Sequence, residues 1–193
     1  RDGTQAEDVN LSTPDKIKIA LRLDEFGIDY IEGGWPGSNP VDVAFFKEIA
    51  NYHLKYARIA AFGSTHHPDN KAEDDPNLNA LIASGATAGT IFGKSGERHA
   101  KEALRLDPKR NLDIIRNSVA YLKRSMPEVY FDAEHFFDGY KRNAEYSLAV
   151  LRAAHEAGAL IINLCDTNGG TLPNEMQQIV SDLRVALPEV RLG

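Results

Sequence analysis

The stretch AEYSLAVLRAAHEAGALIINLCDT, residues 144–167, decides the fold. Ala144–Ala157 carries apolar residues at helical spacing, and Gly158 supplies the left-handed stop that ends such a helix. Leu160–Leu164 is then too short and too apolar for another helix and reads as a buried strand. It breaks at once into the polar turn Asp166-Thr167-Asn168-Gly169-Gly170. Helix, glycine, apolar strand, polar strand end: this is one turn of an α/β repeat.

The same unit recurs on either side. Thr13-Pro14-Asp15 reads as an N-cap, a proline at the first helical position and a first-turn acid, followed by Ile17, Ala20, Leu21 and Phe26 and the stop at Gly27. Strands are predicted at Ile28–Ile31, Ala57–Phe62, Thr87–Phe92, Val129–Ala133 and Leu160–Leu164, with a further one beginning at Val190–Leu192. Helices are predicted over Val41–Tyr52, Leu78–Ala83, Leu112–Leu122 and Asn174–Ala186, with a shorter piece around His99–Leu106. The repeat of about 30 to 40 residues fits (β/α)8 barrel units. A doubly wound dinucleotide-binding sheet is the rival, but its glycine fingerprint after the first strand is missing.

In a barrel, chemistry collects at the carboxyl ends of the strands. Here those ends carry Arg1-Asp2, Glu32, Ser64–His67, Lys94-Ser95, Glu134-His135 and Asp166-Thr167. The expected fold is therefore an α/β (β/α)8 TIM barrel. With 193 residues against about 250 for a whole barrel, it is expected as an incomplete piece, roughly strands two to six with flanking segments. Residues 1–193 would form one partial catalytic domain, with C-terminal linker and regulatory domains absent.

Composition sets outer limits. The chain is 42% apolar and 26% charged, with a net charge of -6 that disfavours nucleic acid as a partner. Cys165 is the single cysteine, which leaves no internal disulfide and points to a reducing, cytoplasmic setting. No run approaches the roughly 20 apolar residues that span a bilayer, so no membrane partner is expected.

Several groups carry possible chemistry, each with a plainer reading. Arg1-Asp2 joins a permanent, planar cation to a hard oxygen ligand, which suits a metal-bound 2-keto acid; Asp2-Gly3 is also an ordinary turn dipeptide. Glu134, followed by His135-Phe136-Phe137, is expected to gain a raised pKa from aromatic surroundings and serve in proton transfer, or else to be a salt-bridged rim acid. Thr167 offers a hydroxyl to a substrate carboxylate. Adjacent His66 and His67 make a poor ligand pair, and Gly93-Lys94-Ser95-Gly96 lacks the spacing of a phosphate loop. Gly33–Pro40 reads as a stiff, shaped loop or a packed turn. Cys165 reads as a small buried side chain, and Arg105, Lys109 and Arg110 as a solvated basic turn.

With these residues together, the chain resembles the metal-dependent acyl-CoA condensing enzymes of the isopropylmalate, homocitrate and citramalate synthase family. Arg1–Gln5 resembles the family's strand-one motif, Glu134 an active-site glutamate after strand five, and Asp166-Thr167 a strand-six signature. IEGGWPGSNP (31–40), TIFGKS (90–95), DAEHFFDGY (132–140) and LCDTNGGTLP (164–173) are most similar to the citramalate branch. The resemblance implies a Claisen-type condensation of acetyl-CoA with a 2-keto acid, pyruvate first, giving citramalate and CoA. Isopropylmalate or homocitrate synthesis, an acyl-CoA lyase or aldolase, and a non-catalytic barrel piece remain open.

The resemblance further implies Arg1 and Glu134 as catalytic residues, and Arg1, Gln5, Glu32 and Thr167 as substrate contacts. It implies Asp2 as a ligand to a divalent metal (Mg, Mn or Zn), and a homodimer at full length. A His-x-His pair that completes the family's ligand set falls beyond Gly193. Thr4 stands where many members have glutamate.

Overall fold

The computed structural model describes residues Arg1–Gly193. Five strands form one parallel sheet in chain order: β1 (Tyr30–Gly34), β2 (Arg58–Ser64), β3 (Ala88–Lys94), β4 (Glu128–Glu134) and β5 (Ile161–Leu164). Every connection between them carries helix. The connecting helices are α2 (Pro40–Ile49), α3 (Pro76–Ala83), α4 (Glu97–Glu102), α5 (Pro108–Lys123), α6 (Phe136–Arg142) and α7 (Ala144–Glu156), while α1 (Thr13–Phe26) precedes β1 and α8 (Pro173–Ala186) follows β5. Sequential parallel strands with helical crossovers are the wall of a barrel.

Strand pleating divides the sheet into two faces. Ile31, Ala61, Ile91, Val129, Phe131 and Ile162 point towards the helices and join the main core. The alternate residues face the other way; near the strand starts Ala60, Ala88 and Tyr130 form a small second cluster on that concave face. Arg58 and Tyr30 both reach Glu128 there, closing the amino-terminal floor with polar bonds. Further along the same face come Glu32, Phe62, Phe92, Lys94, Asp132, Glu134 and Asn163, so polar groups collect where the strands end.

Local chemistry explains most of the element boundaries. The N-cap of α1 is Ser12, one residue before the expected Thr13, because Ser12 and Asp15 exchange bonds in a capping box. β1 begins at Tyr30 and not at Ile28: the Ile28 N–H bonds back to the Leu23 carbonyl at 3.1 Å, completing the turn around Gly27. Asp24, at the end of α1, accepts from the N–H groups of Lys55, Tyr56 and Ala57 at 2.7–2.8 Å. Those three bonds hold its carboxyl below the usual range and tie α1 to the entry of β2.

At the other edge, Ile162 pairs with Leu192 in parallel, so the segment expected to start a strand does lie along β5. The unexpected element is α6. Its short aromatic run gives too little periodicity to read as a helix, yet Phe136 and Phe137 are both buried. No helix is long and apolar enough to cross a membrane.

Candidate active site at the carboxyl ends of the strands

Arg1 is the organising cation. It caps a short 3-10 turn over Asp2–Gln5, so the turn reading of this dipeptide is correct. The arginine nevertheless points inward. Its Nε donates to Glu32 Oε2 at 2.9 Å and its Nη1 to Asp2 Oδ1 at 2.6 Å. The guanidinium carbon sits 3.7 Å from the centre of the Phe62 ring. A weakly hydrated planar cation between a carboxylate and an aromatic face is held in one orientation.

That aromatic face is itself braced. Phe62 stacks on Phe92 with centroids 5.6 Å apart, and Trp35 meets both rings edge-on. The Trp35 indole N–H donates to Asn77 Oδ1 at 2.6 Å, and Asn77 donates to the Ser64 carbonyl at 2.8 Å. The end of β1 packs closely on α2 because of its glycines. At Gly33 a Cβ would come within 2.4 Å of the Phe45 ring, and Gly34 adopts φ +140°. The 31–40 stretch is thus a shaped wall of the site, as well as a packed turn.

β4 and β5 supply the opposite side. Asp132 accepts from Asn163 Nδ2 at 2.7 Å and lacks a cationic partner. Burial pushes its carboxyl above the usual range, the Asn163 bond opposes this, and the negative charge of Glu32 adds to it. Burial, reinforced by Asp132 and Glu134, pushes the Cys165 thiol up to about 12, which leaves it an inert filler at neutral pH. Asp132 and Cys165 both feel Arg1 and Asp2, so the two sides of the rim share one field.

Of the two readings of Glu134, the salt-bridged rim acid is the one that describes its surroundings. The aromatics that follow it do not surround its carboxylate, because Phe136 and Phe137 turn into the core. Its carboxylate instead pairs with Lys94. Thr167 is exposed at the end of the next strand, where its hydroxyl oxygen accepts from the His135 N–H at 2.8 Å. That bond sets Thr167 beside Glu134. Gln5 is different: it is exposed, makes no side-chain hydrogen bond, and is not drawn into the cluster.

Beside the rim lies a cavity of about 540 Å³, lined in part by Trp35, Ser64, His66, Phe92, Lys94 and Leu104. Its size lies in the usual range for small-molecule sites. His66 and His67 do not make a metal pair: the His66 ring bonds the His67 carbonyl, and the His67 ring faces Asp69.

The donor set for a metal is incomplete within these residues. The Asp2 side chain is 80% exposed and open to a further ligand, but no group of three or more His, Cys, Asp or Glu residues gathers anywhere in the chain. Asp2 fits as one ligand, not as a centre.

Asp132, Asn163 and Phe62 were not singled out as site residues from the sequence, and Lys94 and Trp35 were noted only as parts of a strand end and a shaped loop, without a role. For Asp132 a signal existed, since it lies two residues before Glu134 and so shares its strand face. The pairing of Lys94 with Glu134 depends on sheet register, which local pattern does not reveal.

Comparison with known proteins agrees with this geometry. The HMGL-like family model matches residues 1–193, and the chain belongs to the HMGL-like family of α/β barrels. Within it, similarity places the chain on the citramalate synthase branch. An (R)-citramalate synthase from Geobacter sulfurreducens is 54% identical over 184 residues, covering 95% of this chain and 35% of that protein. One from Sulfolobus acidocaldarius is 52% identical over 193 residues, covering 100% of this chain and 37% of that protein.

A 2-isopropylmalate synthase from Listeria innocua is 31% identical over 185 residues, covering 95% and 34%. The crystal structure of HMG-CoA lyase from Bacillus subtilis superposes with a TM-score of 0.77 at 20% identity, over 100% of this chain and 64% of that one. This last likeness concerns the fold alone. The chain spans about a third of the length of the curated relatives it matches.

Proposed function

We propose that the protein condenses acetyl-CoA with a 2-keto acid, pyruvate in the first place, to give citramalate and free CoA. The observation that carries this reading is the Arg1 guanidinium, held by Glu32 against Phe62 on the rim that also bears Glu134. The names of relatives at 54% and 52% identity support the choice of reaction.

In the condensation, the acetyl methyl group gives up a proton. Its carbon bonds to the keto carbon, and the keto oxygen becomes a hydroxyl. Water then cleaves the thioester C–S bond, releasing a carboxylate and the CoA thiol.

Arg1 is assigned to the keto oxygen, where fixed donors act on charge that develops only as the new bond forms. Thr167 is assigned to the keto-acid carboxylate, with Glu32 at the edge of the same pocket. Glu134 is assigned to the acetyl methyl proton or to holding the thioester in line. The cavity beside Lys94 is assigned to the acyl end of acetyl-CoA. The reading includes a divalent metal with Asp2 as one ligand. Such an ion supplies Lewis-acid polarisation of the keto acid.

The test is thiol release by the full-length protein from acetyl-CoA with added divalent metal. Release is expected only when a 2-keto acid is present, and faster with pyruvate than with 2-ketobutyrate or 2-ketoisovalerate. A single methylene is worth about 10–200-fold in discrimination. No release with any of the three rejects the reading.

A further inference from the structure

The rim holds a second ion pair whose cation the reaction above does not use. Lys94 ends β3, Glu134 ends β4, and the two are direct register partners, so their side chains leave neighbouring strands on the same face. The pair is fixed from behind. The Ser95 hydroxyl and N–H both donate to the Glu134 carbonyl, at 2.6 and 3.2 Å. The Lys94 carbonyl accepts from the Asn111 side chain at 2.9 Å, and Asn111 is buried. The two side chains are 20% and 23% exposed, which is more enclosed than the helix-surface pairs such as Arg98–Glu102.

Two details give the pair a direction. Lys94 binds Glu134 through Oε2 alone, and Oε1 makes no hydrogen bond. Lys94 also lines the 540 Å³ cavity. An ammonium is a compact point charge that can hold one carboxylate oxygen and leave the other open. An arginine fork tends to engage both.

We propose that Lys94 is the positioning residue for Glu134: its ammonium fixes Oε2 so that Oε1 stays free for the reacting group. This rests on the synthase reading and deepens it. A glutamate without that anchor samples several rotamers. Misplacing a reacting group by about 1 Å can cost 10²-fold in rate. Lys94 therefore acts on turnover through Glu134, without itself touching the reacting atoms.

Steady-state CoA release by the full-length protein tests this with Lys94→Met, Lys94→Arg, Glu134→Gln and the double variant Lys94→Met/Glu134→Gln. Lys94→Met is expected to lower kcat by about 10- to 100-fold, with KM for the keto acid within about twofold. Lys94→Arg, whose fork tends to engage Oε1 as well as Oε2, should stay about 5- to 50-fold below wild type in kcat. In the Glu134→Gln background, Lys94→Met should cost no more than about a further twofold, because residues acting through one another are not additive. If Lys94→Met does not fold, Lys94→Leu, which likewise removes the ammonium, carries the same comparison.

A kcat for Lys94→Met within about threefold of wild type overturns the proposal, as does an undiminished loss in the Glu134→Gln background. A wild-type protein that releases no CoA rejects the synthase reading instead. The two failures are therefore distinguishable.

Discussion

Arg1→Leu in the full-length protein is expected to lower kcat for CoA release by about 10³-fold, since losing one fixed donor at a developing oxyanion costs about 10²–10³. This substitution also leaves Glu32 and Asp2 without their shared cation. Two carboxylates facing a negatively charged keto acid add repulsion to the missing donor. Arg1→Lys keeps the charge but loses the fork that reaches Glu32 and Asp2 through different nitrogens, and should fall between Leu and wild type. Steady-state kinetics decide the matter. A kcat within about threefold of wild type for Arg1→Leu removes Arg1 from the chemistry.

Phe131→Ala is expected to have the largest effect on stability, about 3–5 kcal/mol by chemical denaturation. Phe131 is 0% exposed in the layer between the sheet and the helices. Its ring fills the space beside Gly93, where an added Cβ would come within 2.9 Å of it. Truncation therefore leaves a cavity that Gly93 has no side chain to fill. The variant should retain nearly wild-type kcat per folded molecule, because Asp132 and, on the facing strand, Lys94 point to the opposite face. A loss of kcat beyond about tenfold in fully folded Phe131→Ala would mean that the two faces are not independent.

That separation of faces explains what was legible from sequence. The alternation of helix and strand was readable because each unit carries its own punctuation. Gly27, Gly85 and Gly158 close helices, and short apolar runs follow them. Ionisable residues at the strand ends were equally plain, so Arg1, Asp2, Glu32 and Glu134 could be named without coordinates. Their partners could not. Lys94 meets Glu134 and Asn163 meets Asp132 through parallel register, which depends on how whole strands slide against each other.

The misreadings have local causes. Aromatic residues next to Glu134 in sequence suggested an apolar setting for its carboxylate as one of two readings, the other being the salt-bridged acid that is found. The α6 turn begins at Phe136 after His135 takes up φ 57°, and it carries those rings into the core. Ile28 read as strand because it is apolar, but its N–H was already committed to closing α1. Gln5 belongs to a sequence motif, yet the 3-10 turn leaves it on the surface.

The most direct test of the account is a crystal structure of the full-length protein with pyruvate bound. The account predicts the keto oxygen within about 3 Å of the Arg1 guanidinium, the carboxylate at the Thr167 hydroxyl, and Glu134 Oε1 open towards the cavity beside Lys94. Pyruvate bound elsewhere, with Arg1 still closed on Glu32 and Asp2 and out of reach, would contradict it.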